Sequence, residues 1–344
     1  MDMTTNTIKM SHFGALAIVQ LDRPSALNAL SLEMLEQLKA VLIDAFADES
    51  VKSIWLESTT AKAFCAGGDV KALNLTLAEL ALPIEKSAIG KKYFALEYSI
   101  DQMIEQSPKP IVAFAEGLVY GGGWGLFAGA NLRLCSETAS FAMPEIQIGF
   151  YPDVGSANFL QKLNWRVGTL LGLSGITISA KEAMALDFVD GFVTADYADV
   201  LKKQLSDGID VTELAIDAAD TDIADIHDHW MDAITLLPEE AALNDWINIA
   251  EENISFSPFK RAALAWVTGS PWSIAFTWHY FQRMRGLSRV MVLESDTKVG
   301  AFFCTHPEFY EGVNAKLIEK NRLANWMYPQ VESVPLNEIL KAID

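Results

Sequence analysis

The chain has 344 residues, 51% of them hydrophobic, and its 45 acidic and 26 basic side chains give a formal net charge of −19. That length exceeds one average domain and supplies ample apolar material for a buried core, so a disordered chain is not the starting expectation. The acidic balance opposes binding to nucleic acid or an anionic membrane surface, both of which reward a basic face, while an anionic ligand held by local Lys or Arg and backbone donors stays compatible.

Ile8-Lys9-Met10 and Ala15 to Leu21 flank His12-Phe13-Gly14, a pattern that predicts a hairpin at the start of the chain. Ser31 precedes Met34, Leu35, Leu38, Val41, Leu42 and Phe46, which is helical spacing behind an N-cap residue, and Ser53 to Ser58 reads as the next strand. Lys109 to Ala115 predicts a buried strand running into Gly121-Gly122-Gly123. A helix of small and apolar residues follows from about Gly122 to Asn131, then short strands at Leu132–Cys135 and Ser140–Ala142. The stretch from Ser156 to Leu173 reads as helical, and Ser179 and Glu182 have capping-box spacing.

Strands and helices alternate in this way to about residue 195, the mark of an α/β layer arrangement. No Lys or Arg occurs between Asp207 and Glu252, and the Leu, Ile, Ala and Trp spacing there predicts amphipathic helices with acidic outer faces. Two regions are therefore expected, an α/β core over 1–195 and a helical region over 196–344. Cys65, Cys135 and Cys304 are odd in number and embedded in apolar runs, which fits reduced thiols and small core residues. Met1 to Asn6 shows no basic and apolar leader pattern, and no segment has the length of a membrane span, so the chain is expected in the cytoplasm.

Chemistry concentrates in two places. Three successive glycines at a strand-to-helix junction let a ligand approach the main chain, and the first helical turn adds unpaired amides and the positive end of its dipole. The same glycines also permit close packing of the helix. Phe64-Cys65-Ala66-Gly67-Gly68-Asp69 supplies a second glycine turn after a strand. If the amides of Gly68 and Gly122 converge, they make a two-donor oxyanion hole. Neither run matches a P-loop or the dinucleotide fingerprint.

Glu145 and Asp153 stand in a mainly apolar stretch, where a carboxylate has either a structural partner or a raised pKa and a task. Glu97 shares helical spacing with Tyr93, Ile100 and Ile104, which puts it on an apolar face away from Lys91 and Lys92. The five histidines form no metal spacing with nearby Cys or acids, His227-Asp228-His229 reads as a solvated surface pair, and no Ser-His-Asp pattern is present.

At these residues the chain resembles the crotonase, or enoyl-CoA hydratase/isomerase, superfamily, and within it the 3-hydroxyisobutyryl-CoA hydrolases. The motifs that carry the likeness, in order, are Arg23 to Leu30, Ala63 to Asp69, Gly121 to Gly125, Met143-Pro144-Glu145, Pro152 to Gly155 and His306 to Val313. They span nearly the whole chain.

The resemblance implies a spiral of β-β-α turns followed by a helical C-terminal region, with acyl-CoA as the small-molecule partner and no cofactor beyond the CoA of the substrate. It implies that the amides of Gly68 and Gly122 polarise a thioester carbonyl, that Glu145 and Asp153 carry the reaction, and that Glu97 contacts substrate. It places Lys71 near the CoA phosphates and main-chain groups around Ala26, Ala66 and Gly68 against adenine and pantetheine. No metal, nucleic acid or membrane is implied, and a homotrimer or trimer-based assembly is.

Hydratases of the superfamily carry a second glutamate two residues after the glycine triplet, and Gly125 occupies that position. Asp153 stands where they commonly carry glycine. The sequence therefore points to hydrolysis of a short β-hydroxyacyl-CoA thioester, with Glu145 as nucleophile or as general base. An enoyl-CoA hydratase/isomerase and a non-catalytic acyl-CoA-binding protein are the alternatives. Trp124, bulky where smaller residues are commoner, is a candidate for reshaping the acyl pocket.

Overall fold

Gly14, at φ 56°, turns the chain between β1 (Ile8–Phe13) and β2 (Leu16–Leu21), whose antiparallel register runs from Ile8 opposite Leu21 to Phe13 opposite Leu16. The hairpin begins a computed structural model that describes residues 6–162, 164–216 and 222–343. The start of the chain through Thr5 and residues 217–221 of the acidic segment lie outside the described residues. Two compact units divide the chain. The first comprises Met1–Asp69, Ser99–Phe141 and Ile178–Ala224, the second Val70–Tyr98, Ala142–Thr177 and Asp225–Asp344.

The first unit holds the strands. After α1 (Leu32–Ala47), which starts with the Ser31 side chain accepting from the Met34 N–H, come β3 (Ser53–Ser58) and β4 (Ala63–Cys65). Helices α2 (Val70–Ala78) and α3 (Pro83–Glu105) lead to β5 (Ile111–Ala115) and β6 (Leu118–Tyr120), and α4 (Gly122–Ala128) to β7 (Leu132–Cys135) and β8 (Ser140–Ala142). After α5 (Ser156–Phe159) and α6 (Trp165–Ser174), β9 (Ile178–Ser179), α7 (Ala180–Ala185) and β10 (Gly191–Phe192) close the series.

Two sheets result, a six-stranded one in the order β1-β2-β3-β5-β7-β10 and a four-stranded one in the order β4-β6-β8-β9. β1 and β2 both join the six-stranded sheet, while the β3-β4, β5-β6 and β7-β8 pairs each give one strand to each sheet, so the chain winds as the resemblance implies. All five residues of β5 are buried, as a central parallel strand requires. The Ser179 capping box forms in full, and the predicted helix from Ser156 is broken into two, the second capped by the Asn164 side chain.

Helix α8 (Ala195–Ser206) departs from the expected boundary at 195. Ala198, Leu201 and Leu205 bury against Leu16, Trp55, Val112 and Leu134 of the larger sheet, and Lys202 pairs with Glu57 of β3 at 3.1 Å. This helix belongs to the first unit, because the face of the sheet it covers would otherwise be bare. The second unit in turn takes in Val70–Tyr98 and Ala142–Thr177, so the units interleave where consecutive regions were expected.

The second unit is helical, with α9 (Asp222–Thr235), α10 (Leu243–Glu252), α11 (Ser257–Trp266), α12 (Pro271–Met284), α13 (Arg289–Phe303), α14 (Pro307–Val313) and α15 (Leu336–Ile343) beside α2, α5 and α6. Helix α12 is buried almost all round, and Trp272, Phe276 and Tyr280 stack along it and meet Phe303 and Tyr151 edge-on in one aromatic core. Trp230 and Trp246 anchor α9 and α10, leaving Asp225, Asp228, Asp232, Asp245, Glu251 and Glu252 outward as predicted. The three cysteines are buried, and no disulfide joins them among the described residues. No helix among the described residues is long and apolar enough to cross a membrane.

Asn28 ties the first unit's loops together. Fully buried and at φ 56°, it accepts from the Arg23 N–H at 2.8 Å and donates to Ser58 Oγ at 2.7 Å and the Phe64 carbonyl at 3.0 Å. Asn28→Ala is expected to lower stability by about 2–4 kcal/mol, because it orphans several buried groups at once. Ser31→Ala, which removes only a helix cap, costs about 1 kcal/mol. Urea midpoints of the two variants check the difference.

Candidate active site

The glycine turns lie in the first unit, and there they meet. Gly67 has φ 101°, and a Cβ on it would stand 3.2 Å from the Tyr120 carbonyl oxygen and 3.6 Å from the Gly122 nitrogen. A Cβ on Gly123 would stand 2.4 Å from the Cys65 carbonyl oxygen. Gly121 caps α4 at φ 49°, a conformation that favours glycine. The triplet thus divides its work: Gly121 makes the turn, Gly123 allows close packing, and Gly122 opens the helix with an N–H that has no intrahelical acceptor.

Leu30 N donates to the Gly67 carbonyl at 2.8 Å and Asp69 N to the Leu30 carbonyl at 3.0 Å. In this parallel bridge the intervening Gly68 N–H points away from Leu30. Neither Gly68 nor Gly122 donates a backbone hydrogen bond among the described residues. Ala66 N donates to the Leu27 carbonyl at 3.0 Å, so the segments of Ala26 and Ala66 also come together. Arg23 pins them further through Asp69 at 2.8 Å. Lys71 stands exposed on the first turn of α2. Trp124 is fully buried with its ring against Phe141 and Phe188, each at 5.4 Å between centroids.

The acids lie in the second unit. Glu145 opens a short 3-10 turn, Glu145–Ile148, that closes on Gly149 at φ 69° with the Gly149 N–H returning to the Glu145 carbonyl. The turn is fixed from several directions. Ser270 N donates to the Ile146 carbonyl at 2.9 Å, the Gln147 amide donates to the Ala265 carbonyl at 2.8 Å, and a Cβ on Gly149 would collide with the Glu308 carbonyl at 2.1 Å. Asp153 follows the buried Phe150 and Tyr151, which pack with Phe94, Phe303 and Phe309.

Burial and like charge set the electrostatics. Glu145 and Asp153 are 7% and 5% exposed. Burial raises the Glu145 carboxyl well above the usual range, and the charge of Asp153 raises it further. Asp153 is pushed up to about 7 by burial and by the charge of Asp296, against the opposing pull of a hydrogen bond from Tyr98. That bond, Tyr98 Oη to Asp153 Oδ2, is 2.6 Å long. Glu145 Oε2 is buried with no hydrogen-bond partner among the described residues. A carboxyl pair of this kind holds a proton near neutral pH and presents one bare oxygen, which is what acid–base work requires.

Glu97 is buried next to Tyr98 on α3, as its spacing predicted; burial raises the Tyr98 hydroxyl, and the charges of Asp153 and, less strongly, Glu97 raise it further. Sequence reasoning missed Tyr98 itself, although it shares a face with Phe94. It also missed Asp296, fully buried on α13 and pushed up to about 7 by burial. The signal was the one that found Glu97: Val292, Asp296, Val299 and Phe303 share one buried face. Among the described residues, no group of three or more His, Cys, Asp or Glu could hold a metal ion.

The raised acids make stability depend on pH. Asp153 and Asp296 bind a proton more tightly in the folded chain than at their ordinary value of 3.8, so their contribution is whole below about pH 4 and is lost as pH rises through about 7. His306, pushed down to about 4 by burial, acts with the opposite sign in the same window. The informative quantity is therefore a difference. Asp296→Asn should gain on the wild type by up to about 1.4 kcal/mol per pH unit between pH 4 and 7. Denaturation midpoints across that window check it.

Comparison with known proteins places this geometry. The family model described as enoyl-CoA hydratase/isomerase matches residues 16–343. The chain is 28% identical to "3-hydroxyisobutyryl-CoA hydrolase, mitochondrial" of Xenopus laevis, with 96% of this chain and 88% of that one covered, and 30% identical to the protein of the same name in Xenopus tropicalis over the same shares. A solved enoyl-CoA hydratase from Rhodobacter sphaeroides 2.4.1 superposes with a TM-score of 0.87 at 28% identity, covering 98% of this chain and 97% of that one. The chain belongs to the enoyl-CoA hydratase/isomerase family, the crotonase superfamily.

Proposed function

We propose that the protein hydrolyses the thioester of a short β-hydroxyacyl-CoA, with (S)-3-hydroxyisobutyryl-CoA as the first substrate to test. The observation that carries the reading is the buried pair of Glu145 and Asp153, both raised, with one Glu145 oxygen unpartnered. The names of the Xenopus relatives support it. So does Gly125, which leaves α4 without the second glutamate that a hydratase uses to place water on a double bond.

In this reading water adds to the thioester carbon, the carbonyl oxygen becomes an oxyanion, and the carbon–sulfur bond breaks to give the hydroxy acid and free CoA. Glu145 takes the proton of the attacking water, or attacks the carbon itself to form a mixed anhydride that water then opens. Asp153, which exchanges a proton near neutrality, orients water or the substrate hydroxyl and passes a proton to the leaving thiolate. Amides of Gly68 and Gly122 take the oxyanion. Glu97 contacts substrate, Lys71 attracts the CoA phosphates, and the main chain around Ala26, Ala66 and Gly68 receives adenine and pantetheine. CoA is part of the substrate, and the reaction asks for no further cofactor.

A second reading, enoyl-CoA hydration or isomerisation, is favoured by the name of the Rhodobacter sphaeroides structure. Thiol release from 3-hydroxyisobutyryl-CoA, measured beside the loss of enone absorbance from crotonyl-CoA, separates the two. Hydrolysis predicts thiol release that Glu145→Gln lowers by about 10²–10⁴-fold and Asp153→Asn lowers as well. Enone loss without thiol release supports the second reading. CoA esters that bind but turn over in neither assay mark a binding protein.

A further inference from the structure

Asp153 is followed by two residues in the left-handed region, Val154 at φ 52° and Gly155 at φ 77°. For a β-branched side chain that conformation is strained and persists only where the surroundings enforce it. Two charged side chains on one buried face of α13 do so. Arg289 donates to the Val154 carbonyl at 3.2 Å and lies under Gly155, where a Cβ would come within 2.8 Å of Arg289 Cγ. Asp296 Oδ2 accepts the Gly155 N–H at 2.8 Å. Its other oxygen receives the hydroxyls of Tyr280 at 2.6 Å and Tyr151 at 3.1 Å. A fully buried carboxylate with three donors on its two oxygens is a built feature, and the proposed reaction does not itself use it.

We infer that Asp296 is a positioning residue, which holds the Asp153 carboxyl in place through the Gly155 amide. The inference rests on the hydrolase reading only for what the carboxyl is used for. The groups that act on Asp153 come from several elements: Tyr98, beside Glu97, on α3, Glu145 from its turn, and Asp296 on α13. Asp296 in turn is faced by Tyr280 on α12, by Tyr151, and by Arg289 on its own helix. The charge of Asp296 makes Asp153 hold its proton more tightly, and the Tyr98 hydroxyl makes it hold it less tightly. The two influences have opposite signs, so they can be told apart.

The test uses the full chain labelled with carbon-13 at the aspartate carboxyl, titrated by NMR without substrate, beside steady-state thiol release from 3-hydroxyisobutyryl-CoA. Asp153→Asn identifies the Asp153 resonance. Asparagine at 296 can still accept from Gly155 while its amide donates to the two tyrosine oxygens, so Asp296→Asn removes charge and keeps shape. It is expected to lower the Asp153 midpoint by about one pH unit or more, and Tyr98→Phe to raise it by a similar amount. For Asp296→Asn, kcat should fall by about 10–10²-fold with KM changed much less.

Should Asp296→Asn not fold, Tyr280→Phe takes its place. It removes the 2.6 Å donor, makes Asp296 keep its own proton, and should move the Asp153 midpoint down as well. A fall in kcat with an unmoved Asp153 midpoint makes Asp296 merely structural and overturns the inference, as do midpoints that shift alike in Asp296→Asn and Tyr98→Phe. Midpoints that shift as expected in a protein releasing no thiol leave the positioning role standing and overturn the hydrolase reading instead.

Discussion

Everything specific to the candidate site follows from burying acids of like charge among aromatic rings. Glu145, Asp153 and Asp296 all lie within the second unit, each largely or wholly out of water. Ionised together and unsupported, they would destabilise the fold by far more than its net stability. The chain meets this with neutral donors. Tyrosine hydroxyls at Tyr98, Tyr151 and Tyr280 and the Gly155 amide reach Asp153 and Asp296, and Arg289 is the buried cation on the same face of α13 as Asp296. Glu145 Oε2 is buried without such a partner among the described residues. The asymmetry is chemical: donors fix the geometry of Asp153 and Asp296, and Glu145 presents a bare oxygen.

The glycine turns show the same economy in the first unit. A run of three glycines invites two explanations, close packing or exposed amides, and the structure assigns both to neighbouring residues. Packing fixes Gly123 against the Cys65 carbonyl, and the left-handed turn fixes Gly121. Gly122 is then the residue whose amide is left over. Its position is a consequence of the two contacts that flank it, so a substitution at Gly123 would move the Gly122 amide by pushing on a neighbouring strand.

How much of this was legible depends on the period of the pattern. Strand β5, the Ser31 cap and the Ser179 capping box involve residues a few positions apart, and local spacing revealed them. Glu97 was legible because it interrupts an otherwise apolar helical face. Asp296 interrupts such a face too, but Arg289 lies on it as well, and two charges on the buried side conceal the amphipathic pattern of α13. Tyr98 was missed for another reason, since a buried tyrosine looks like any core aromatic until its hydroxyl finds Asp153, 55 positions away in sequence. The unit boundary failed on similar grounds. Composition changes near residue 195, whereas α8 packs according to the apolar sheet face that it covers.

These supports bear on what an acid at position 153 requires of the fold. A glutamate at position 125 would sit on α4, beside the glycine turns, in the first unit. Asp153 instead sits on a left-handed turn in the second unit, and that turn is held by α13 and by the hydroxyls of α12 and α3. An aspartate placed there without Tyr98 and the Gly155 clamp would be a buried charge with neither donor nor fixed direction, which the fold would resist. Exchanging Asp153 for glycine would therefore leave Asp296 and Arg289 as buried charges with less to hold. The acid at 153 and its support on α13 form one structural unit.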